Sequence, residues 1–211
     1  HRLVLNSEYK GQRKPVEDPG FYRQKNEIFT LCKYLPFTFI RHPDYECDDV
    51  LAYLVGAHAK DACTVVSTDT DFLQLYNQYD HVEIYNPVKK QIADHPDCDY
   101  VAWKALRGDV ADNIPGFKGV GDKRARVLVQ DKDALSKFLA EGETPRYAKF
   151  VKNILLIRFH DLKTEEIQTL ERSTPTVDWE NVREEFDCMK FNSITNDKSW
   201  DKFISTFGTL G

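Results

Sequence analysis

Residues 106–129 read "LRGDVADNIPGFKGVGDKRARVLV". Two aspartates three positions apart, Asp109 and Asp112, lead into the Pro115–Gly116 turn. Gly119 and Gly121 follow, then Lys123, Arg124 and Arg126. The flanking apolar residues predict a tight glycine hairpin between two helices, the second opening at Asp122 or Lys123. Gly119 and Gly121 allow a positive φ and a close approach that side chains would block. The free N–H groups opening the second helix can hold a phosphate oxygen. Lys118, Lys123, Arg124 and Arg126 add charge that grips a sugar–phosphate backbone without reading bases. The i, i+3 spacing predicts that Asp109 and Asp112 share one face of a helical turn. A lone Gly-x-Gly equally marks an ordinary turn between helices. The acids before it and the bases after it make this stretch specific.

Outward toward the carboxyl end, "DYVAWKALRG", "DKRARVLV", "DALSKFLAEG" and "RYAKFVKNILLIRF" read as helices punctuated by glycine or proline. In the other direction the pattern changes. "PFTFIR" (36–41) and "CTVVST" (63–68) read as short buried strands, and "HVEIYNP" (81–87) as a further one. Between the first two, residues 47–59 repeat apolar side chains at Val50, Leu51, Leu54 and Val55, a helix face. Residues 22–35 read as a helix by the same test. Helix, strand, helix, strand predicts parallel strands with crossover helices. The expected plan is α/β over 1–99, followed by a helical region over 100–211 that contains the hairpin at 106–129.

That plan gathers three acidic clusters. "YECDD" supplies Glu46, Asp48 and Asp49 at a loop-to-helix junction. "STDTD" puts Asp69 and Asp71 just past a strand end, where the i, i+2 spacing of extended chain points both the same way. Asp109 and Asp112 are the third. Ligand sites of open α/β sheets lie at the carboxyl edge of the strands. So many carboxylates without lysines nearby are costly unless cations bind. Oxygen donors without His or Cys favour Mg²⁺ or Mn²⁺ over zinc, and a two-ion site cleaves phosphodiesters. Taken singly, the acids at helix starts equally fit caps and helix-dipole partners.

Composition supports a soluble, globular chain: 41% of its residues are hydrophobic and 30% charged. No run approaches the ~18 apolar residues of a membrane span. The five cysteines form no CxxC pair, which excludes a zinc-ribbon pattern and fits reduced thiols inside a cell. The net charge of −5 is unevenly spread. Residues 41–99 carry 4 basic and 12 acidic side chains, whereas 1–40 carry 7 and 4 and 100–150 carry 10 and 7. An acidic centre between basic flanks suits a metal-dependent enzyme acting on a polyanion.

"WKALRGDVADNIPGFKGVGDKRA" resembles the helix–three-turn–helix signature of the structure-specific 5′ nucleases: phage 5′-exonucleases, flap endonucleases and the 5′-nuclease domain of bacterial DNA polymerase I. "YECDDVLAYL" and "VVSTDTDFLQL" are similar to that family's other acidic motifs, in order and spacing, and "EYKGQRKP" (8–15) resembles the start of its helical arch. The resemblance runs from about Glu8 to Phe159 and implies a PIN-like fold, with arch residues beginning at 8–20.

It implies metal ligation by Glu46, Asp48, Asp69 and Asp71 with Asp49 adjacent, and by Asp109 and Asp112 at a second ion. Lys10 and Arg13 are implied as catalytic cations on the scissile phosphate. Tyr9 and Lys14 join the DNA-binding set, Tyr9 by stacking on a terminal base, although an aromatic beside a basic run is as often simple packing. Two Mg²⁺ ions, replaceable by Mn²⁺, and K⁺ at the hairpin carbonyls around 116–121 are the implied cofactors. The implied partners are DNA with a 5′ end, a flap or a single-strand/duplex junction, and RNA–DNA, with no membrane. The implied state is a cytoplasmic monomer, in the host cytoplasm for a viral protein. Family members carry two further aspartates on strands ahead of the arch, which these 211 residues lack. The expected function is therefore a divalent-metal-dependent 5′ nuclease of replication and repair, using water as nucleophile without a covalent enzyme intermediate. The alternatives are a catalytically silent branched-DNA binder and a small-molecule phosphohydrolase using Asp69 and Asp71.

Overall fold

The computed structural model describes residues 2–141 and 146–210. In chain order they form α1 (Arg2–Leu5), α2 (Pro19–Leu31), β1 (Ile40–Arg41), α3 (Cys47–Ala57), β2 (Cys63–Val66), β3 (Val82–Asn86) and β4 (Gln91–Ile92). Then come α4 (Tyr100–Arg107), α5 (Asp122–Gln130), α6 (Lys132–Ala140), α7 (Arg146–Ile157), α8 (Thr164–Ile167), β5 (Glu171–Arg172), α9 (Trp179–Cys188), α10 (Asn192–Thr195) and α11 (Asp197–Phe207). Two compact units result. One joins His1–Arg13 to Asp44–Lys163, the other Lys14–Pro43 to Thr164–Gly211. This partition does not follow a linear division at 99/100.

In the first unit β2 and β3 pair in parallel, Val65 opposite Ile84, and β4 adds antiparallel to β3. The alternation is that of a half-buried sheet. Val65, Val82 and Ile84 are buried, while Thr64, Val66 and Glu83 are exposed. A tight helical run over Thr70–Asn77 crosses from β2 to β3 and buries Phe72, Leu75 and Tyr76 against the sheet and α3. α4, α5 and α6 share a second core of Tyr100, Trp103, Leu106, Phe117, Val120, Ala125, Leu128 and Phe138. Gly142, at the end of the third predicted helix, lies outside the described residues.

The expected strand over 36–41 is corrected. Only Ile40–Arg41 is paired, and its partner is β5, antiparallel, in the second unit. Pro36 cannot donate a ladder bond, and the Phe37 N–H turns back to the Leu35 carbonyl at 2.8 Å. The parallel arrangement is therefore confined to β2 and β3. In the second unit α2 begins at Pro19 behind the Asp18 cap, which accepts from the Gly20 N–H. Leu31, Leu35, Val182, Phe186 and Trp200 form that unit's core. No described helix is long and apolar enough to cross a membrane.

Candidate metal centre

All three acidic clusters lie in the first unit, around one cavity of about 300 Å³. The cap and first turn of α3 supply Glu46 and Asp48, and the cap and first turn of the helical run after β2 supply Asp69 and Asp71. The loop between α4 and α5 supplies Asp109 and Asp112. That loop is not the helical turn its spacing predicts. Asp109 and Ile114 face each other in an isolated antiparallel bridge: the Asp109 N–H donates to the Ile114 carbonyl at 2.9 Å and the Ile114 N–H to the Asp109 carbonyl at 2.8 Å.

Backbone crowding enforces the bridge. Gly108 has φ +84°, and a Cβ there would sit 2.3 Å from the Gly116 nitrogen. A Cβ on Gly116 would sit 1.9 Å from the Arg107 oxygen. Two strands of backbone thus touch at a point only glycine permits. Asn113, also at positive φ, turns the chain, and the Asp109 carboxylate accepts the Ala111 N–H at 2.8 Å in an Asx turn. The result still aims both aspartates inward. One carboxylate oxygen from each of Asp71, Asp109 and Asp112 lies within 4.8 Å of the others. An all-oxygen cluster of this size fits a hard divalent cation.

The acids are not without counter-ions, contrary to the expectation. The Lys104 ammonium, on α4 and 5% exposed, contacts Asp71 and lies 2.6 Å from Asp109. Arg13 meets Asp112 at 2.5 Å, and Lys10 meets Glu46 at 2.5 Å and Asp112 at 3.9 Å. Burial pulls the Asp109 carboxyl up, but Lys104 outweighs it and holds it below its ordinary value. At Asp71 burial prevails over Lys104 and the carboxyl is raised. Burial alone would deprotonate Lys104 more easily; Asp71 and Asp109 reverse that and raise it. Asp48 is pushed up to about 6, first by burial and then by Asp69 and Glu46. Burial also pushes the Tyr100 hydroxyl, 3.2 Å from Asp71, up to about 12.

Other expected residues take different positions. Asp49 is fully buried, its two oxygens held at 2.7 Å each by Arg2, and it accepts the His160 N–H at 2.8 Å. A carboxylate saturated in this way has no oxygen to offer the cavity. Tyr9 is packed rather than open for stacking: it is 6% exposed, and its hydroxyl reaches Asp112 at 3.2 Å and Glu46 at 3.3 Å. Lys14 is exposed at the start of the second unit.

At the hairpin, Lys118, Lys123 and Arg124 are exposed, and Arg124 donates to the Gly119 carbonyl at 3.3 Å. Gly119 needs its φ of +75°, whereas at Gly121, which caps α5, a Cβ would meet nothing within 4 Å. Arg126 is engaged by Asp97 and Asp122 and lies 5.2 Å from the Trp103 ring. Sequence reasoning does not reach Lys104 or Arg2. Lys104 carries a signal, a single charge inside the apolar run "YVAWKAL"; Arg2 carries none.

Residues 1–104 match the family model of the 5′-3′ exonuclease N-terminal resolvase-like domain. Over these residues the chain is similar to the 5′-3′ exonuclease family. The family match holds Lys10, Arg13, Glu46, Asp48, Asp69, Asp71 and Lys104, and Asp109 and Asp112 follow directly after it. The thermostable DNA polymerase I of Thermus aquaticus is 31% identical over 166 residues, covering 74% of this chain and 19% of that protein. DNA polymerase I of Streptococcus pneumoniae is 27% identical over 223 residues, covering 92% and 25%. The chain spans a quarter or less of the length of these relatives.

Among solved structures, T5 5′-exonuclease with bound divalent metal ions (zinc) superposes with a TM-score of 0.56 at 25% identity, covering 74% of this chain and 69% of that one. The bacteriophage T5 flap endonuclease, in a pseudo-enzyme-product complex with DNA and metal ions, gives 0.57 at 22% identity, covering 99% and 79%. The mixed α/β, PIN-like fold is thus that of the T5 enzyme.

Proposed function

We propose that this chain is the metal- and DNA-binding part of a divalent-metal-dependent 5′ nuclease that hydrolyses phosphodiester bonds at DNA 5′ ends or flap junctions during replication and repair. The observation that carries the reading is the Asp71, Asp109 and Asp112 cluster facing Glu46, Asp48 and Asp69 across a cavity whose rim holds Lys10 and Arg13. A divalent cation there supplies charge neutralisation at the phosphate and makes water nucleophilic at neutral pH. Mg²⁺ is the proposed ion, with Mn²⁺ as substitute; Glu46, Asp48, Asp69 and Asp71 would hold one and Asp109 and Asp112 a second.

Lys10 and Arg13 leave their carboxylate partners for the scissile phosphate, Arg13 with a planar fork suited to it. Tyr9 keeps Glu46 and Asp112 oriented through its hydroxyl. Lys118, Lys123, Arg124 and the N–H groups opening α5 hold the duplex backbone further along, with K⁺ at the hairpin carbonyls. DNA flaps, 5′ ends and RNA–DNA hybrids are the proposed substrates, met by a monomer in the cytoplasm, or in the host cytoplasm for a viral protein.

One observation favours the silent DNA binder. Lys104 already neutralises Asp71 and Asp109, so the fold can exist without a metal. Cleavage of 5′-labelled flap DNA in Mg²⁺, compared with Ca²⁺ and EDTA, separates the two readings. The nuclease cuts in Mg²⁺ alone and loses cutting but not binding in Asp71→Asn. Binding without cutting, in every metal, refutes the nuclease reading.

A further inference from the structure

Arg2 lies outside every motif that points to the site, yet its guanidinium is 5% exposed and fully bonded. Nε donates to the Leu156 carbonyl at 2.9 Å and Nη2 to the Arg158 carbonyl at 3.0 Å. Nη1 and Nη2 form a two-point pair with Asp49 at 2.7 Å each, and Nη1 also donates to Glu46 Oε2 at 3.0 Å. Asp49 in turn accepts the Glu46 N–H at 3.3 Å and the His160 N–H at 2.8 Å. One planar fork therefore ties α1, the start of α3 and the end of α7 to a single carboxylate of the cavity.

We infer that Arg2 is a positioning residue for the candidate metal centre: anchored by Asp49, it fixes Glu46 through Oε2 and leaves Oε1 to the cavity. The division of labour is visible at Glu46. Oε2 receives Arg2 and, at 3.3 Å, the Tyr9 hydroxyl, whereas Oε1 receives the exchangeable ammonium of Lys10. Arg2 contributes no atom to a ligand. It removes the rotational freedom of a Glu side chain that is itself 36% exposed. A lysine at this position cannot reproduce the effect, because a point charge has no fork to span Asp49 and Glu46 together. Partners that orient metal ligands typically alter metal affinity by 10- to 100-fold when removed.

The inference rests on the reading of Glu46 as a site ligand, and the test separates the two. Mn²⁺ binding is measured by titration calorimetry on four proteins: the unmodified chain, Arg2→Lys, Glu46→Gln and the double variant, with thermal unfolding as the control for folding. Arg2→Lys is expected to weaken Mn²⁺ by roughly tenfold or more, toward the loss in Glu46→Gln, and to add less than about twofold in the Glu46→Gln background. Full additivity in the double variant, or unchanged affinity in Arg2→Lys while Glu46→Gln weakens it, overturns the positioning role alone. Unchanged affinity in Glu46→Gln overturns the ligand reading and the inference with it. Where Arg2→Lys does not fold, Asp49→Asn, which keeps the shape but not the charge of Arg2's anchor, is read by the same cycle.

Discussion

Replacing Lys104 by methionine tests how the site is held together without a metal. Met keeps most of the length and apolar volume of the side chain and removes the ammonium. Asp71 and Asp109 then face each other unpaired, with side chains 20% and 14% exposed. Breaking a buried pair by removing one partner costs about 3–5 kcal/mol. Partial solvent access puts this case at the low end, about 3 kcal/mol. The cation that fits the cluster now binds without displacing an ammonium, so its affinity rises, by about tenfold for a change of about 1.4 kcal/mol. At a metal concentration 100 times the dissociation constant the variant gains about 2.7 kcal/mol, and the unmodified chain gains less.

Urea unfolding of both proteins in EDTA and in excess Mg²⁺ is the assay. The expected result is a gap of about 3 kcal/mol in EDTA that narrows by at least about 1 kcal/mol in Mg²⁺. The pH dependence has a definite sign. Lys104 has a raised value, so its contribution is complete below its ordinary value of 10.5 and is lost only as pH climbs through the higher folded one. Asp109 is lowered, so its contribution is present above 3.8 and is lost as pH falls through the lower folded value. Lys104 and Asp109 therefore add no slope between about pH 6 and 9; any slope there belongs to Asp71, which burial raises and which loses the lowering influence of Lys104 in the variant. A gap that Mg²⁺ leaves unchanged, or weaker metal binding in the variant, refutes the counter-ion account.

Three further outcomes are expected. Lys123→Ala with Arg124→Ala weakens duplex DNA binding and flattens the slope of log affinity against log salt by about 1.8, close to 0.9 for each phosphate no longer neutralised; an unchanged slope in fluorescence anisotropy removes the hairpin from the interface. Asp48, raised to about 6, is protonated in the folded chain at a pH where the unfolded chain is ionised, so it costs stability as pH rises from 3.8 through 6. Metal binding must expel that proton, so Mn²⁺ affinity should fall about tenfold per unit below pH 6 and calorimetry in two buffers should register proton release; a flat profile from pH 7 to 5 contradicts the assignment. Gly116→Ala should unfold the loop between α4 and α5 or cost more than about 4 kcal/mol, because its Cβ would sit 1.9 Å from the Arg107 oxygen; a thermal midpoint within a few degrees of the unmodified chain would show that the two backbones can separate.

What the sequence could and could not convey follows from the range of each interaction. The helices α4 to α7 are legible because their apolar spacing is local, and so are the strands at 63–66 and 82–86, whose alternation survives in Val65, Val82 and Ile84; that these two pair with each other is not. The stretch 36–41 misleads because its partner is 130 residues away at Glu171–Arg172, and Pro36 acts there as a missing donor rather than as a strand boundary. The carboxylates are legible as a set because Glu46, Asp48, Asp69 and Asp71 sit at or beside strand and helix ends and Asp109 and Asp112 in the loop after α4, where topology converges them. Their counter-ions are not. Lys104 reaches Asp71 across 33 positions and Arg2 reaches Asp49 across 47, and no periodicity encodes either pair.

That blind spot bears on how acidic motifs are interpreted. A cluster of aspartates argues for a cation, but the cation can be an ammonium or guanidinium that the fold brings from elsewhere. Here both kinds of acid are present. Asp71, Asp109 and Asp112 have partners built in, whereas Asp48 and Asp69 have no ion pair among the described residues, and Asp48 answers by holding a proton to about pH 6. The demand for a metal therefore falls most heavily on the α3 and β2 side of the cavity. The Lys104 and Asp48 experiments together show how much of that demand the protein itself meets.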